Sequence, residues 1–411
     1  MKAKLLLILI IVALAGSLVA AACTSEEEAE EPTATPVATE APLESIKIGA
    51  MLGLTGGMST GEHQTLHGIE LAFDEVNYEV AGREIELIVE DVGMDPAPCL
   101  EKVIKLNEMD NVALVIGPPL THQGLAILNY IEENELITIS HFCSSQQFVK
   151  ESYSDYFFRS SHISGAQVTS VAGDIAYKVK GYRKGVAMAM DYATGHDQVE
   201  GFKTVFEGLG GEIVQTIYTP MGTLDYSSYM AQIDVDNAEF ITGYYFGDDG
   251  IRWVKALEGY GIKDKLEVFA LSGTVEPPDL WSQGDSAIGI EDVSHYSVTL
   301  DTPVNNGFVQ AIWDNYQEDV TIYTEHGYTA ARMAILAIEA VDGDVEDTDG
   351  MIEALENLDF EAPRGPLRFE LHSPVQNVYH RIVEKVDGKL QNTVIGNYTD
   401  IEPLWLPEEL Q

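Results

Sequence analysis

Short apolar runs rich in β-branched residues alternate with stretches of helical periodicity, and this alternation limits the possible folds more than any other feature. The predicted strands lie at 46–52, 84–90, 112–116, 136–140, 185–191, 240–246 and 266–271. The predicted helices lie at 62–77, 99–107, 165–178, 197–209, 249–260, 305–316, 326–341 and 350–358. Repeated β-α units favour parallel sheets with helices on both faces, because each helix returns the chain to the same end of the sheet.

The strand and helix pattern starts afresh after residue 160, which predicts an α/β fold with two similar doubly wound lobes. We expect lobe I to comprise 46–160 plus about 299–371, and lobe II to comprise 161–298 plus about 372–401. In open parallel sheets, ligands bind beyond the carboxyl ends of the strands. Two lobes hinged around a central cleft would bring the loops that follow their strands together there.

The first 22 residues have the features of a secretory signal peptide. Lys2 and Lys4 precede an apolar run at 5–15, which is too short to span a bilayer core of about 30 Å. Three alanines then lead to Cys23, a sequence that resembles the bacterial lipoprotein box. This resemblance implies cleavage before Cys23 and acylation of its thiol. An ordinary signal peptidase could cut at the same bond and leave no lipid.

Residues 23–45 form an acidic linker with seven glutamates, three prolines and no aromatic or basic residue. Such a segment cannot bury enough apolar surface to fold. At about 3 Å per residue it would extend roughly 60 Å. A tether of this length favours a lipid anchor that holds an extracytoplasmic domain at the outer face of the cell membrane.

The formal charge of the chain is −44, with 67 acidic and 23 basic residues. This balance argues against a nucleic-acid partner, because phosphate binding needs a basic surface. After Cys23 the chain contains only Cys99 and Cys143. These two could pair in an oxidising compartment, or both could be buried as small apolar residues.

A glycine-rich loop at 53–61 follows the first predicted strand and contains Ser59 and Thr60. Backbone N–H groups in such a loop can bind phosphate, but the loop lacks the Lys-Ser/Thr ending of a P-loop. We therefore interpret Ser59 and Thr60 as hydroxyl ligands for a small molecule.

Three patterns that could support metal or covalent chemistry are incomplete. His63 and His67 lie one helical turn apart, but the spacing fixes no third zinc ligand. A calcium-loop pattern at 345–356 has valine at its first ligand position. Cys143 lies near His141, but no nucleophile-elbow motif is present. The sequence thus predicts no metal, no cofactor and no enzymatic activity.

Several ordered segments together resemble the solute-binding proteins of branched-chain amino-acid-type ABC transporters. These leucine-binding-protein-like chains have the type I periplasmic-binding fold, and the resemblance extends from about residue 46 to about residue 401. Each segment alone is weakly specific, but their order and spacing span nearly the whole folded part. The segments are IKIGAM at 46–51, LTG at 54–56, GIELAFDEVN at 68–77, VIGP at 115–118, DYATG at 191–195, GFK at 201–203 and GP at 365–366.

The resemblance implies that the first lobe holds a ligand carboxylate with hydroxyl and backbone N–H groups. The matching positions are Thr121, Phe142 and Ser144. Donors of this kind suit a small anion in a cleft, since they need no buried counter-charge.

In the second lobe, the resemblance implies an aromatic residue at Phe246 and an acid for an ammonium group at about Gly273. Tyr192 lies in a segment that looks like relatives that take up aromatic acids, although the aromatic residues could equally be packing. An ammonium group without a carboxylate partner would be costly to bury. We therefore expect a carboxylate ligand without an amine, an aromatic or other organic acid, with a branched-chain amino acid as the alternative. Three nearby acids could replace the carboxylate that is missing at Gly273: Glu276, Asp248 and Asp249. They are better interpreted as exposed loop acids or helix caps.

The resemblance further implies the mode of action. A ligand would dock on one lobe, and the second lobe would close over it by hinge motion. The closed, monomeric protein would then bind a membrane permease that has separate ATPase subunits. A sensor that reports the ligand to a separate signalling partner is the alternative function.

Overall fold

The computed structural model describes residues 43–411. The predicted signal peptide at 1–22, the proposed acylation site Cys23 and most of the linker lie outside the described residues. Among the described residues, no helix is both long and apolar enough to cross a membrane.

The first lobe is built on a six-stranded sheet with the order β2-β3-β1-β4-β5-β6. Every neighbouring pair in it is parallel except β2 and β3. Its strands are β1 (Ile46–Leu52), β2 (Glu79–Val80), β3 (Arg83–Asp91), β4 (Leu114–Ile116), β5 (Thr138–Ser140) and β6 (Phe157–Arg159). The helices that connect them are α1 (Ser59–Glu75), α2 (Pro96–Lys105) and α3 (Thr121–Glu133).

The second lobe has a central parallel sheet in which β11, β10, β9, β7 and β8 lie side by side. Its strands are β7 (Lys184–Met190), β8 (Glu212–Thr219), β9 (Phe240–Tyr244), β10 (Glu267–Ala270) and β11 (Glu291–Ser294). Its helices are α4 (Ser170–Asp174), which π-helical turns extend at both ends, α5 (Ala193–Gly208), α6 (Ser227–Met230), α7 (Gly247–Gly259) and α8 (Asp279–Gln283).

The remaining segment adds helices to the first lobe and antiparallel strands to the sheet of the second. β14 pairs with β13, β11 and β15, in each case antiparallel. The elements are α9 (Pro303–Tyr316), α10 (Ile322–Ala340), α11 (Thr348–Glu356), β12 (Asp359–Ala362), β13 (Gly365–Glu370), β14 (Ser373–Val386) and β15 (Lys389–Ile401).

The backbones of helices α1 and α10 approach each other closely at two glycines. A Cβ atom on Gly68 would lie 2.0 Å from the Thr324 carbonyl oxygen, and one on Gly327 would lie 2.1 Å from the Thr65 carbonyl oxygen. Only glycine fits at either contact. The close approach fixes the N-terminal half of α10 next to the loops that follow β1 and β5.

The predicted α/β fold with two parallel-rich lobes is confirmed. Strand 46–52 matches β1 at both ends, whereas the predicted helix at 62–77 begins three residues earlier, at Ser59. The sequence interpretation did not identify α3, β8 or the long β14–β15 hairpin. The two hairpin strands alternate buried and exposed residues only in part, which weakens the pattern of a strand.

Candidate functional site

A cavity of about 220 Å³ lies where loops from the two sheets meet. Thr121 follows β4, and Phe142 and Ser144 follow β5 in the first sheet. Tyr192 follows β7 and Phe246 follows β9 in the second sheet. We call this space the cleft cavity; it is lined by Met58, Met94, Pro119, Leu120, Thr121, His122, Leu125, Phe142, Ser144, Tyr192, Ala193, Thr194, Met221, Tyr244 and Phe246.

Two helices direct their N-termini at the cleft cavity from opposite lobes. Helix α3 begins at Thr121 and α5 at Ala193, and both residues line the cavity. Neither helix has an acidic residue in its first turn, whereas α1 has Glu62 and α7 has Asp248 and Asp249 there. The partial positive charge and free N–H groups of α3 and α5 therefore favour an anionic group in the cavity.

Aromatic side chains form much of the cavity wall. The Phe142 ring stacks on Tyr323 of α10, with centroids 5.4 Å apart, and the Tyr192 hydroxyl donates to the Tyr244 hydroxyl at 2.9 Å. Burial raises the pKa of Tyr244 to about 12 and holds the pKa of Tyr192 well above its ordinary value. Both phenols are therefore neutral, so this wall of the cleft cavity carries no charge.

A second, much smaller cavity of about 20 Å³ adjoins the first and shares four lining residues with it. Its size suits one water-sized group, since about 10–15 Å³ is enough for a water molecule. We call it the inner cavity; it is lined by Phe142, Ser144, His162, Ser164, Gln198, Tyr244, Phe246, Ser272, Gly273, Glu276, Asp279, Ile322 and Tyr323.

Four polar atoms that belong to residues lining the inner cavity have no hydrogen-bond partner within the described part of the chain. They are His162 Nδ1, Ser164 Oγ, Gln198 Oε1 and Ser272 Oγ, and none of these residues is more than 5% exposed. An unpaired buried polar group costs about 1–3 kcal/mol. The inner cavity is therefore suited to a group that supplies the missing hydrogen bonds.

Glu276 also lines the inner cavity, and the expectation that it is an exposed loop acid is wrong. Its side chain is buried and accepts from Arg381 Nη2 at 2.5 Å. Arg381 also pairs with the buried Asp292, which contacts its Nε at 3.0 Å. One guanidinium is thus shared by two carboxylates, which leaves excess negative charge beside the inner cavity. Asp279, on the same wall, accepts from the Gly247 N–H at 2.6 Å.

Gly273 lies in the inner cavity wall, at the position that the resemblance assigned to an acid. Its φ of +96° is a conformation that residues with a side chain rarely adopt, and a Cβ there would lie 3.4 Å from Tyr244 Cε2. An acid at this position would strain the local backbone. The carboxylates of the inner wall come instead from Glu276 and Asp279.

Six of the eight predicted ligand residues line the two cavities, but Ser59 and Thr60 do not. The Ser59 hydroxyl donates to the Leu54 carbonyl at 2.7 Å, and Thr60 is exposed. Met58 and Met94 lie on this side of the cleft cavity instead. The glycine-rich loop therefore contributes an apolar surface to the cavity, where sequence reasoning predicted hydroxyls.

Several lining residues were missed because they come from segments that are distant in sequence. Tyr323 lies in the first turn of α10, and His162 and Ser164 follow β6 where the chain leaves the first sheet. Gln198 lies in the middle of α5, and Ser272 follows β10. Ser272 begins a loop that the rule that sites follow strands does single out, at 272–276, although the residue itself was not named as a ligand. The same rule could have found His162, but nothing in the sequence marks Tyr323 or Gln198.

His162, His295 and His326 form a buried cluster in which the ring nitrogens lie within 4.8 Å of one another. His295 Nε2 and His326 Nε2 are 2.7 Å apart, a hydrogen-bond distance and closer than the ~3.3 Å between two ligands of a tetrahedral zinc ion. The His162 and His295 rings are stacked, with their centroids 4.4 Å apart. This geometry fits a hydrogen-bonded and stacked group better than a metal centre.

The histidine cluster is also uncharged. Burial lowers the pKa of His162 to about 3, and the nearby Arg364 and Arg159 add to the effect. Burial and Arg364 likewise hold the pKa values of His295 and His326 well below the ordinary value. The positive potential from the arginines would oppose a bound cation.

The two histidines of the incomplete zinc pattern have different partners in the structure. His63 Nδ1 contacts the Ser59 carbonyl, whereas His67 Nδ1 contacts Glu318 Oε1 at 2.8 Å. Cys143 and Cys99 are free buried thiols, and burial raises the pKa of each to about 12. The Cys143 thiol donates to the Pro118 carbonyl, so it is not an activated nucleophile.

A third cavity of about 370 Å³ lies beyond the inner cavity, with which it shares Glu276 and Ile322. Its edge carries Trp281 and Trp313, which are 40% and 46% exposed. We call it the outer cavity; it is lined by Glu276, Pro277, Trp281, Tyr296, Ser297, Val298, Thr299, Val309, Gln310, Trp313, Glu318, Asp319, Val320, Thr321, Ile322, Arg381, Lys389, Leu390, Gln391 and Asn392.

Known proteins are similar to this chain over most of its length. A model of the periplasmic binding protein family matches residues 45–387. The Leu/Ile/Val-binding protein homolog 6 of Brucella melitensis is 26% identical over 371 residues, which cover 88% of this chain and 93% of that protein.

Two solved structures are similar over nearly their whole length. An ABC transporter substrate-binding protein from Sphaerobacter thermophilus has 31% identity and a TM-score of 0.85, covering 88% of this chain and 99% of that one. A solute-binding protein of an ABC transporter from Rhodopseudomonas palustris, in complex with 4-hydroxybenzoate, has 28% identity and a TM-score of 0.82, covering 87% of this chain and 98% of that one.

The family model covers most of the described chain, and the two-lobed fold with loops meeting in a cleft agrees with it. The resemblance inferred from the sequence is thereby confirmed. The chain belongs to the periplasmic binding protein family, as a type I solute-binding protein of the branched-chain amino-acid type and not as an enzyme.

Proposed function

We propose that this protein captures a small aromatic carboxylate in the cleft cavity and presents it to an ABC permease. The observation that carries the proposal is the pair of N-termini at Thr121 and Ala193, which face one aromatic-walled cavity from opposite lobes. A carboxylate accepts hydrogen bonds from such N–H groups, and a ring packs against Phe142, Tyr192 and Phe246.

The arrangement of the ligand follows from these surroundings. Thr121 and Ser144 are hydroxyl donors of the first lobe, and Thr194 is one of the second lobe. The carboxylate lies among them, because the α3 and α5 N-termini are there. The similar protein from Rhodopseudomonas palustris, solved with 4-hydroxybenzoate, supports a ligand of this class.

A ligand in the cleft cavity contacts both lobes, and these contacts drive closure. A ligand that touches both lobes stabilises the closed state, so binding shifts the equilibrium toward closure. The lobe boundaries proposed from the sequence, 46–160 plus about 299–371 and 161–298 plus about 372–401, define the two moving parts. The closed protein docks on a permease with separate ATPase subunits, and acylation of Cys23 with the acidic linker keeps it at the outer face of the cell membrane.

Isothermal titration calorimetry tests the ligand class. The purified protein is titrated with benzoate, 4-hydroxybenzoate, benzamide and leucine. At least one of the two acids should bind, and benzamide should bind at least about tenfold more weakly than benzoate, since it lacks the anion that the helix N-termini favour. Binding of leucine but of neither acid would overturn the proposal.

A pair of substitutions tests the location. Phe142→Ala removes a ring from the cleft cavity and should weaken binding of the preferred acid by about 2 kcal/mol, or roughly 30-fold. Trp313→Ala, which removes a ring from the outer cavity, should leave the affinity unchanged within about twofold. The opposite pattern would move the site to the outer cavity.

A branched-chain amino acid is the second candidate, and one observation favours it. Glu276 and Asp292 share Arg381, so the inner cavity has excess negative charge that an ammonium group could use. In that case leucine and isoleucine would bind, and Glu276→Gln would weaken their binding far more than the binding of benzoate.

A further inference from the structure

We propose that the inner cavity binds a single hydroxyl group of the ligand, so that the protein selects aromatic acids with a ring hydroxyl remote from the carboxylate. This inference rests on the proposed function, because it takes the carboxylate to lie at the α3 and α5 N-termini in the cleft cavity. The bound compound is then a hydroxylated aromatic acid and not an unsubstituted one.

The size and position of the inner cavity support this assignment. Its volume of about 20 Å³ is enough for one water-sized group. Phe142, Ser144, Tyr244 and Phe246 line both cavities. A ring held between these side chains can therefore carry a substituent directly from the cleft cavity into the inner cavity.

The chemistry of the wall selects a hydroxyl group. The Gln198 amide donates its Nε2 hydrogen to the Ser272 carbonyl at 3.0 Å, which leaves Oε1 as an acceptor without a donor. The Ser164 and Ser272 hydroxyls lack partners among the described residues, and each is able to donate. A phenolic hydroxyl both donates and accepts, so it satisfies the amide oxygen and one serine at once.

Other groups of similar size fit this wall poorly. A carboxylate oxygen only accepts, and it would lie close to Glu276 and Asp279. A methyl group would leave every one of the unpaired atoms unsatisfied. A polar site that hydrogen-bonds a ligand hydroxyl discriminates strongly against an analogue without it, because its own polar groups are then left unpaired.

The test compares the affinities of three acids by isothermal titration calorimetry. These are 4-hydroxybenzoate, benzoate and 2-hydroxybenzoate, whose hydroxyl lies beside the carboxylate and does not reach the inner cavity. We expect 4-hydroxybenzoate to bind at least about tenfold more tightly than either of the others, the equivalent of one or more net hydrogen bonds.

A double variant assigns the effect to the inner cavity. Ser164→Ala with Ser272→Ala should weaken the binding of 4-hydroxybenzoate, so that its preference over benzoate falls to about threefold or less. Gln198→Leu provides an independent variant with the same expected direction. Ser228→Ala, at an exposed serine on α6, is the control and should keep the full preference.

The outcomes separate this inference from the proposed function. If the three acids bind the unsubstituted protein equally well, the hydroxyl site is wrong and the aromatic-acid function stands. If the preference persists in both sets of variants, the inner cavity is not its origin and the inference is overturned. If leucine binds and none of the acids does, the inference and the proposed function both fail.

Discussion

Two regions of the molecule can be compared: the cleft cavity together with the inner cavity, and the outer cavity. They differ in how many of their polar groups are hydrogen-bonded within the protein. The outer cavity is larger, at about 370 Å³ against 220 Å³. Its polar groups are mostly paired within the protein: the Ser297 hydroxyl donates to the Asn392 carbonyl at 2.6 Å, and Thr321 donates to Gln64 at 2.8 Å. Asn392 Oδ1 is an exception. Among the described residues, the larger cavity thus offers a ligand one unpaired buried polar atom, whereas the inner cavity offers four.

Arg381 stands between the two regions and lines the outer cavity, while its partner Glu276 lines both the inner and the outer cavity. Besides the two carboxylates, it donates to the Tyr296 carbonyl at 2.6 Å. The surrounding carboxylates raise the pKa of Arg381 above its ordinary value, so the cation is permanent. Arg381 therefore pairs the carboxylates of the wall between the inner and outer cavities. The unpaired polar atoms of the inner cavity belong to other residues of its lining.

The largest expected effect is the loss of stability when Arg381 is replaced. Arg381→Met should lower the free energy of unfolding by about 3–5 kcal/mol, since it leaves Glu276 and Asp292 as unpaired buried carboxylates. Chemical denaturation at neutral pH measures the change. Glu276→Gln is the matched variant and should cost clearly less, because Arg381 then keeps Asp292. Equal losses from the two substitutions would show that Arg381 does not stabilise Asp292 once Glu276 is neutral, and that the guanidinium is not shared between the two carboxylates.

The sequence predicts the parts of the site that follow strands. Thr121, Phe142, Ser144 and Tyr192 each come shortly after a β-rich run, and the structure brings them together because the ends of parallel strands meet at the cleft. The pairing of Glu276 with Arg381 was not predictable, since 105 residues separate them and no local pattern joins them.

The turn of the β14–β15 hairpin has a sequence signal, the dipeptide Asp387-Gly388. Asp387 and Gly388 have φ values of +50° and +85°, which suit a two-residue hairpin turn of the Asp-Gly type. That dipeptide predicts a hairpin between its flanking strands. The unpaired atoms of Ser164 and Gln198, in contrast, follow only from tertiary packing, because each residue has a polar side chain with no distinguishing neighbour in the sequence.

A smaller effect concerns His162, which lies in the inner cavity and is neutral when folded. Its pKa falls from 6.5 to about 3 on burial. Below pH 6.5 the unfolded chain takes up a proton that the folded chain does not, so this residue lowers stability as the pH falls. Between pH 6.5 and pH 5 the loss from His162 alone should be about 1.5 kcal/mol.

Comparing two histidine variants separates the contribution of His162 from that of the other titrating groups. His162→Gln cannot be protonated, so its unfolding free energy should fall less steeply with decreasing pH than that of the unsubstituted protein. His63→Gln, at an exposed histidine, should follow the unsubstituted protein. Parallel curves for all three proteins would show that His162 is not buried as a neutral ring, and the inner cavity would then be more open than described.

The smallest expected effect compares two threonines that the sequence placed together in one ligand site. Thr121 begins α3 and lines the cleft cavity, whereas Thr60 is exposed at the start of α1. Thr121→Val keeps the shape and removes one hydroxyl donor, so the affinity for benzoate should fall by about 1 kcal/mol, or roughly fivefold. Thr60→Val should leave the affinity unchanged in the same calorimetric titration. If Thr60→Val has the larger effect, the glycine-rich loop closes over the ligand and supplies the hydroxyl that the sequence predicted, and the anion does not lie at the α3 N-terminus.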